Sequence, residues 1–257
     1  ERFNMYAENN NIAVGSNSHV EGSSNVGLVA DGHIEGTENH SGFENNWGIH
    51  MEGRRNYATL GWFQHVEGEN NQSAGYVTHI EGNQNKAVNS ETENVGNLHI
   101  EGSWNTVNNG RQHHVEGSNN TVKQGYAHHI QGTYNTIEKG NCHSISGSHN
   151  TISGDNDCND VSGQQNTVTN CGEATVSGRG NKVVNSNQSD VSGLQNIVTD
   201  SERAIVSGVN NTITNSRGTN VSGDSNKALE NCFETSISGY SNIVTRSKHA
   251  SISGTNN

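Results

Sequence analysis

Residues 175–183 read Thr-Val-Ser-Gly-Arg-Gly-Asn-Lys-Val, and this stretch contains the pattern that decides the fold. Its centre, Gly-x-x-Asn, recurs at sixteen periodic positions in the 257-residue chain, with one further match at Gly42 outside the period, and nine of the fifteen spacings between successive motif glycines are 15 residues. Helical repeats and propeller blades need about 33 residues or more per repeat. The shorter period is typical of one coil of a parallel β-solenoid. The motif glycines are Gly22, Gly36, Gly53, Gly68, Gly82, Gly102, Gly117, Gly132, Gly147, Gly163, Gly178, Gly193, Gly208, Gly223, Gly239 and Gly254.

The residues around each glycine alternate between apolar and polar, as in a strand with one buried face. We predict that Val176 points inward while Thr175 and Ser177 face solvent. After the turn, Asn181 and Val183 share the inward side. We expect the glycine to supply a positive φ, and the asparagine to cap turn amides and form a ladder with the asparagine of the next coil. The chain is therefore predicted to be an all-β parallel β-solenoid of about sixteen coils of about 15 residues, without long helices.

The composition agrees with a thin solenoid. Only 28% of the residues are hydrophobic, because each coil encloses few side chains, and proline is absent, because every strand donates hydrogen bonds to a neighbouring coil. The net charge of −12 argues against a nucleic-acid partner. No apolar run is long enough to span a membrane, so we expect no membrane insertion of this segment. We interpret both ends as cut from a longer chain.

Two stretches resemble a known family. Residues 11–18, Asn-Ile-Ala-Val-Gly-Ser-Asn-Ser, are similar to the head repeat of YadA-type trimeric autotransporter adhesins. Residues 73–82, Ser-Ala-Gly-Tyr-Val-Thr-His-Ile-Glu-Gly, resemble a variant of that repeat found in phage tail fibres. The resemblance covers nearly the whole chain as a repeat, although the coil is mostly 15 residues instead of 14. It implies a left-handed β-roll, a side-by-side homotrimer and an adhesive or fibre role.

The outward positions divide the single predicted domain, residues 1–257, into two halves. Residues 1–142 contain His-x-Glu-Gly coils with irregular insertions, whereas residues 143–257 repeat regularly with Ser before the glycine. Residues i and i+2 share a strand face, so stacked coils predict parallel columns of His and Glu. The histidines are His19, His33, His50, His65, His79, His99, His114 and His129, and the acids are Glu21, Glu35, Glu52, Glu67, Glu81, Glu101 and Glu116.

Besides direct contact with a ligand, three interpretations of these columns stay open. The first is a structural ladder at or near a subunit contact, in which each His bonds a Glu. The second is metal binding by these histidines, because neutral imidazole and carboxylate suit transition metals; three chains around an axis could each give one His to an axial ion. The third is a response to pH, in which a Glu partner raises the pKa of a His. No other cofactor is indicated.

Aromatic residues in and next to the irregular coils are the candidates for contact with a host receptor or glycan. Insertions in repeat proteins map to surface loops, often on the binding face, and exposed aromatic rings suit sugar or protein contacts. An equally open alternative is that the tryptophans fill a widened coil or the trimer interface. The candidates are Phe43, Trp47, Trp62, Phe63 and Trp104.

The four cysteines occupy repeat positions. Cys142 and Cys158 both lie five places before a motif glycine on consecutive coils, so we expect them to be adjacent and inward. Cys171 and Cys232 share a different column but lie four coils apart, so they cannot pair within one chain. The cysteines therefore leave the redox compartment open.

These features predict a structural and adhesive rod of an extracellular fibre, from a phage tail or a bacterial surface, that contacts a host glycan or protein. The acidic residues repeat as evenly as the framework, whereas a catalytic pair is normally a local exception, so we expect no enzyme activity. Two alternatives are a polysaccharide-degrading tailspike and an ice-binding solenoid. The latter needs an unbroken threonine array, and Thr106, Thr121, Thr136, Thr151, Thr167 and Thr212 are interrupted by Lys182, Ile197, Lys227 and Ile243.

Overall fold

A computed structural model describes the protein except for residues 1–2, 8–11, 14–17, 25, 28–32, 42–47, 49, 60–62, 75, 89–95, 110, 142 and 155–158. The described residues form strands and turns, with no helix among them. They divide into two compact units, Glu1–Ile130 (unit 1) and Gln131–Asn257 (unit 2). Across the described ranges, no helix has the length and apolar character needed to cross a bilayer.

In unit 1 the strands alternate between two parallel sheets, so each coil contributes one strand to each sheet. The first sheet, which we call the odd sheet, contains β1 (Phe3–Ala7), β3 (Ser18–Gly22), β5 (His33–Ile34), β7 (His50–Met51), β9 (Gln64–Glu69), β11 (Tyr76–Asn83), β13 (Gly96–Ser103) and β15 (His114–Ser118). The even sheet contains β2 (Ile12–Ala13), β4 (Val26–Gly27), β6 (His40–Ser41), β8 (Tyr57–Thr59), β10 (Gln72–Ala74), β12 (Lys86–Val88), β14 (Thr106–Asn108) and β16 (Thr121–Val122).

Unit 2 repeats this arrangement, and β17 (His129–Thr133) includes the boundary between the units. Its odd strands are β19 (Ser144–Ser148), β21 (Asp160–Gln164), β23 (Thr175–Arg179), β25 (Asp190–Leu194), β27 (Ile205–Val209), β29 (Asn220–Asp224), β31 (Ser236–Tyr240) and β33 (Ser251–Thr255). Its even strands are β18 (Thr136–Ile137), β20 (Thr151–Ser153), β22 (Thr167–Thr169), β24 (Lys182–Val184), β26 (Ile197–Thr199), β28 (Thr212–Thr214), β30 (Lys227–Leu229) and β32 (Ile243–Thr245).

Adjacent coils pair in parallel, with equivalent residues opposite one another. In unit 2, Val161 pairs with Val176 and Gly163 with Gly178. In unit 1, His79 pairs with His99 across the longest spacing in the chain, so the insertion does not shift the register. The predicted parallel β-solenoid is confirmed.

In the regular coils of unit 2, one aliphatic side chain from each strand fills the interior. Val176 of β23 and Val183 of β24 are both fully buried, and the same inward positions are buried in the other regular coils. The outward neighbours of Val176 alternate with it as predicted, since Thr175 is exposed. The core is therefore a narrow column of single side chains, which explains the low apolar content of the sequence.

The motif glycine is required for two reasons, of which the sequence indicated only one. Gly178 has φ +103°, a conformation that strains residues with a side chain. In addition, a Cβ atom at Gly178 would lie 2.1 Å from the carbonyl oxygen of Gly193 in the next coil. The stacked glycines therefore allow consecutive backbones to approach closely.

The motif asparagine is buried and saturates its hydrogen-bonding groups, as predicted. The Nδ2 atom of Asn181 donates to the carbonyl oxygens of Ser177 at 2.7 Å and of Gly193 at 3.0 Å. The Oδ1 atom of Asn181 accepts the backbone N–H of Asn196 at 2.9 Å. The backbone N–H of Asn181 donates to the Oδ1 atom of Asn166 in the preceding coil at 3.0 Å, so the residue joins its own turn to the coils on both sides.

One strand of the odd sheet, β1, precedes the first of the sixteen motifs. In β1, Ala7 pairs with Gly22, so alanine occupies the glycine position of an earlier repeat. The search for Gly-x-x-Asn missed this repeat because it required glycine.

A second inward column contains Cys171, Ser186, Ser201, Ser216 and Cys232. The backbone N–H of Ser201 donates to the Oγ atom of Ser186 at 3.0 Å, and the same bond recurs one coil later. Cys171 and Cys232 are buried free thiols at the two ends of the column, and burial raises the pKa of Cys171. Their predicted separation is confirmed. Cys142 and Cys158 lie outside the described residues, so their predicted adjacency stays a prediction.

Candidate binding surfaces

The predicted histidines form a column on the outer face of the odd sheet in unit 1. From His33 to His114 consecutive imidazole rings are stacked nearly parallel, with centroids 4.6–4.9 Å apart. His19 and His33 are tilted by 57°, and His129 continues the stack 4.9 Å from His114. We call this set, with the glutamates two residues further on, the His/Glu column.

Seven of the eight histidines pair with the glutamate of their own coil, and the eighth, His129, is followed by Gln131 instead. The Nε2 atom lies 3.0 Å from a carboxylate oxygen in the His50–Glu52 pair and 2.6 Å in the His99–Glu101 pair. These side chains are about one third to one half exposed, so the pairs are only partly shielded from solvent. The structural-ladder interpretation is therefore consistent with the geometry.

The pKa shifts in this column differ from the expected direction. Burial is the main cause that lowers the pKa of His114, and the positive charges of protonated His99 and His129 lower it further. The opposing effect of Glu116 and Glu101 is smaller, so the expectation of a raised pKa is wrong for His114. The hydrogen bond from His99 lowers the pKa of Glu101.

Metal-ligand atoms also converge along the His/Glu column. Four groups, each of two consecutive histidines and one glutamate, have one possible ligand atom per residue within 4.8 Å of the others. The ligands come from consecutive coils of one chain, unlike the predicted axial ion held by three chains. The groups are His33 with His50 and Glu52, His50 with His65 and Glu67, His65 with His79 and Glu81, and His79 with His99 and Glu101.

A second histidine stack, which the sequence analysis missed, lies inside the solenoid. His113 and His128 are each 1% exposed, and their rings are stacked 4.7 Å apart. The Nδ1 atom of His113 accepts the backbone N–H of His128, which places the ring proton on Nε2. Burial lowers the pKa of His113 to about 4. The signal was present in the sequence, since His-His at 113–114 and 128–129 puts one ring on each face of the strand.

The structure does not bring the two described contact candidates together. Phe63 is 59% exposed and precedes β9, whereas Trp104 is 57% exposed and follows β13. Because these strands belong to one parallel sheet, the two rings lie at opposite ends of its strands. Phe43, Trp47 and Trp62 lie outside the described residues.

A cleft of about 400 Å³ on the turns of unit 2 was not predicted. Its floor is a column in which Arg217, Phe233 and Lys248 follow one another on consecutive coils. The Nζ atom of Lys248 lies 6.0 Å from the centre of the Phe233 ring, within the range of a cation–π contact. Gly218, Arg203, Glu234 and His249 also line the cleft. We call this feature the Phe233 cleft.

The charges around the Phe233 cleft are partly compensated. Arg217 forms an ion pair of 3.3 Å with Glu202, and His249 lies 2.9 Å from Glu234. Among the residues that the structure describes, Arg203 has no ion-pair partner. The cleft therefore combines an aromatic surface with uncompensated positive charge, although the chain as a whole is acidic.

The threonine array on the even sheet is interrupted as predicted. In unit 2, Thr151 pairs with Thr167, and Lys182 and Ile197 then take the same outward position. Thr212 is followed by Lys227. The longest described run of threonines in unit 2 is therefore three coils, from Thr136 to Thr167.

Parallel in-register coils with internal polar ladders define the chain as a β-solenoid repeat protein. Residues 100–199 match a family model described as the grass antifreeze beta roll. The match agrees with the fold and covers less than half of the chain. A comparison with curated proteins gave no significant match.

Proposed function

We propose that the chain is a structural and adhesive segment of an extracellular fibre, assembled as a homotrimer, that contacts a host glycan or protein. The observation that carries this proposal is the separation of framework from surface: the inward Gly, Asn and aliphatic columns hold the coils together, so the outward side chains are free to vary. Residues 11–18 and 73–82, which resemble the repeats of trimeric adhesins and tail fibres, support the same role.

The Phe233 cleft is the contact surface that the described geometry supports best. An aromatic ring offers a flat apolar face to a sugar ring, and Arg203 and Lys248 supply positive charge beside it. A glycan that carries carboxylate or sulfate groups matches both features. This assignment differs from the expectation that the first half makes the contact, which still applies to Trp104 and Phe63 as a separate prediction.

Binding to defined oligosaccharides tests this function. We expect the chain to bind immobilised sulfated or carboxylated oligosaccharides more tightly than neutral ones of equal length, and Phe233→Ala to weaken binding at least about tenfold, or about 1.4 kcal/mol. Tyr240→Ala is the matched control, because Tyr240 is a 51% exposed aromatic outside the cleft. Equal binding by both variants would rule out the cleft, and equal binding to all oligosaccharides would argue against charge recognition.

The role proposed here is non-catalytic. The glutamates of the His/Glu column recur at equivalent positions of the repeat, which is typical of a framework rather than of one hydrolytic site. We expect no release of reducing sugar when the chain is incubated with the oligosaccharides that it binds. Release of reducing ends would favour the alternative of a tailspike depolymerase.

Ice binding is a second candidate, favoured by the match of residues 100–199 to an antifreeze β-roll model. The outward threonines Thr151 and Thr167 lie within the matched residues and pair with each other on the even sheet. Lys182 and Ile197, also within them, differ in size and charge from threonine, which is why we rank this function second. Inhibition of ice recrystallisation by the chain, lost in Thr167→Asp and kept in Asp160→Ala on the odd sheet, would favour ice binding over adhesion.

A further inference from the structure

We propose that the His/Glu column of unit 1 binds divalent transition-metal ions between histidines of consecutive coils, up to two ions per chain. The clearest donor set is His65, His79 and Glu81, with Nε2 of His79 3.1 Å from Glu81 and the two rings 4.6 Å apart. The same arrangement recurs at three neighbouring positions along the column. This inference is independent of the adhesive function.

The donor chemistry selects the class of metal. Two imidazole nitrogens and one carboxylate oxygen form a ligand set that suits Zn²⁺ and similar transition-metal ions, whereas Ca²⁺ and Mg²⁺ prefer oxygen ligands alone. A tetrahedral ion held by three such ligands keeps one position for water. The surrounding charge also favours a cation, because the chain has a net charge of −12 and each group contributes one carboxylate.

Only a small rearrangement is needed to close each group around an ion. The stacked rings of His50 and His65 have centroids 4.7 Å apart, whereas two ligands of one tetrahedral zinc ion lie about 3.3 Å apart, given bonds of about 2.0 Å. The rings must therefore tilt toward each other. Their side chains are 36% and 35% exposed, so the rings are open to solvent on the outer face and are bordered along the column by the neighbouring rings.

Proton transfer on binding is confined to the imidazole rings. In the metal-free column the Nε2 atom of His50 lies 3.0 Å from the Oε1 atom of Glu52 and donates a hydrogen bond to it. When an ion binds, the neutral ring takes the tautomer with its proton on Nδ1, and the Nε2 lone pair coordinates the metal. The carboxylate, which had accepted the hydrogen bond and stays ionised, becomes the third ligand.

The overlap between groups limits the number of ions. Neighbouring groups share a histidine, and one Nε2 atom can coordinate only one ion. The groups centred on His33–His50 and His65–His79 share no residue and can be filled together. Two other pairs also share no residue: His50–His65 with His79–His99, and the two outer groups, His33–His50 with His79–His99. The expected maximum is therefore two ions per chain.

Calorimetric titration of the chelator-stripped full chain with zinc chloride tests this arrangement. We expect two ions for the unmodified chain and still two for His65→Gln, because the outer groups stay intact and do not overlap. His50→Gln removes two groups and leaves two that share His79, so one ion is expected. The double variant His50→Gln with His79→Gln removes every group and is expected to bind none at these positions.

Two results would overturn the proposal. One is the absence of zinc binding to the unmodified chain at micromolar concentration, and the other is an unchanged number of ions in the folded double variant. Gel filtration and circular dichroism check that the variants fold. If they do not, X-ray absorption of the zinc-loaded unmodified chain decides, since coordination by imidazole supports the proposal and an oxygen-only shell contradicts it.

Discussion

At the scale of single residues, the motif glycine and asparagine constrain the fold more than the aliphatic core does. Val176 can be exchanged for another aliphatic residue, as Ile237 at the same position shows. No such exchange is available at Gly178, because the positive φ and the carbonyl oxygen of Gly193 both exclude a side chain. The glycine and asparagine therefore keep the repeat detectable in a sequence of low hydrophobicity.

Gly178→Ala is expected to destabilise the chain by about 2–4 kcal/mol, from the strained φ and the overlap of the new Cβ atom with the next coil. Gly172→Ala is the matched control, because its new Cβ atom would meet nothing closer than Asn187 Oδ1 at 3.7 Å. Urea unfolding followed by circular dichroism measures both. Similar midpoints for the two variants would contradict the stacking argument.

Asn196→Ala is expected to cost about 3 kcal/mol. The substitution leaves the buried carbonyl oxygens of Ser192 and Gly208 and the N–H of Asn211 without their side-chain partner. Ser207→Ala, an outward position on the odd sheet, is expected to stay within about 0.5 kcal/mol of the unmodified chain. A loss for Asn196→Ala no larger than that of the control would mean that water replaces the ladder at little cost.

At the scale of the strand, the two faces of β15 and its neighbours carry histidines with different environments. The outward ring of His114 is partly exposed and faces Glu116, whereas the inward ring of His113 is buried against His128. Protonation of His113 therefore requires a buried charge, and the nearest ionisable group inside the coil is another histidine. This inner stack makes folding sensitive to acid.

Unit 1 is expected to lose stability as the pH falls below about 6.5. The pKa of His113 is lowered to about 4 in the folded chain, so between pH 6.5 and 4 the unfolded chain binds more protons and stability rises with pH. Between pH 7.5 and pH 5 the loss is about 2 kcal/mol. Leu98 occupies the same inward position one coil earlier, which shows that leucine fits there, so His113→Leu is a suitable variant for the test.

Melting curves at pH 5 and pH 7.5 measure this effect as a difference. His113→Leu removes the hydrogen bond from the N–H of His128 at every pH, so its absolute stability is not informative. The informative quantity is the change with pH, which is expected to be smaller in the variant than in the unmodified chain. An equal change would assign the acid sensitivity to other histidines.

The sequence predicted the features that follow from the repeat, and it missed those that depend on the turns between strands. Period and alternation identified the inward and outward residues, the asparagine ladder and the histidine column. They did not show that Phe63 and Trp104 lie at opposite ends of the odd strands, because both are simply outward in the pattern. The Phe233 cleft includes Arg217 and Gly218, which lie in a turn between strands. The spacing of the repeat does not indicate which turn residues form a cleft.

At the scale of the whole molecule, the exposed faces leave apolar side chains in water. In unit 2, Ile197 and Ile243 of the even sheet are 40% and 54% exposed, and Ile205 of the odd sheet is 51% exposed. A coil that encloses one aliphatic residue per strand buries little apolar area, so association between chains adds stabilising burial. An interface through the even sheet would cover the threonines that ice binding requires. A trimeric fibre of this kind would therefore bury this face, whereas ice binding needs it exposed.

The chain is expected to be a homotrimer of about 82 kDa, three times the 27.5 kDa chain, with the even sheet at the interface. Light scattering at micromolar concentration and neutral pH measures the mass. Ile197→Asp would place a charge in the interface and is expected to shift the mass toward the single chain, whereas Ile205→Asp on the odd sheet is the matched control. A mass of 27.5 kDa for the unmodified chain would contradict the trimer. Dissociation by Ile205→Asp alone would move the interface to the odd sheet and leave the threonines of the even sheet free.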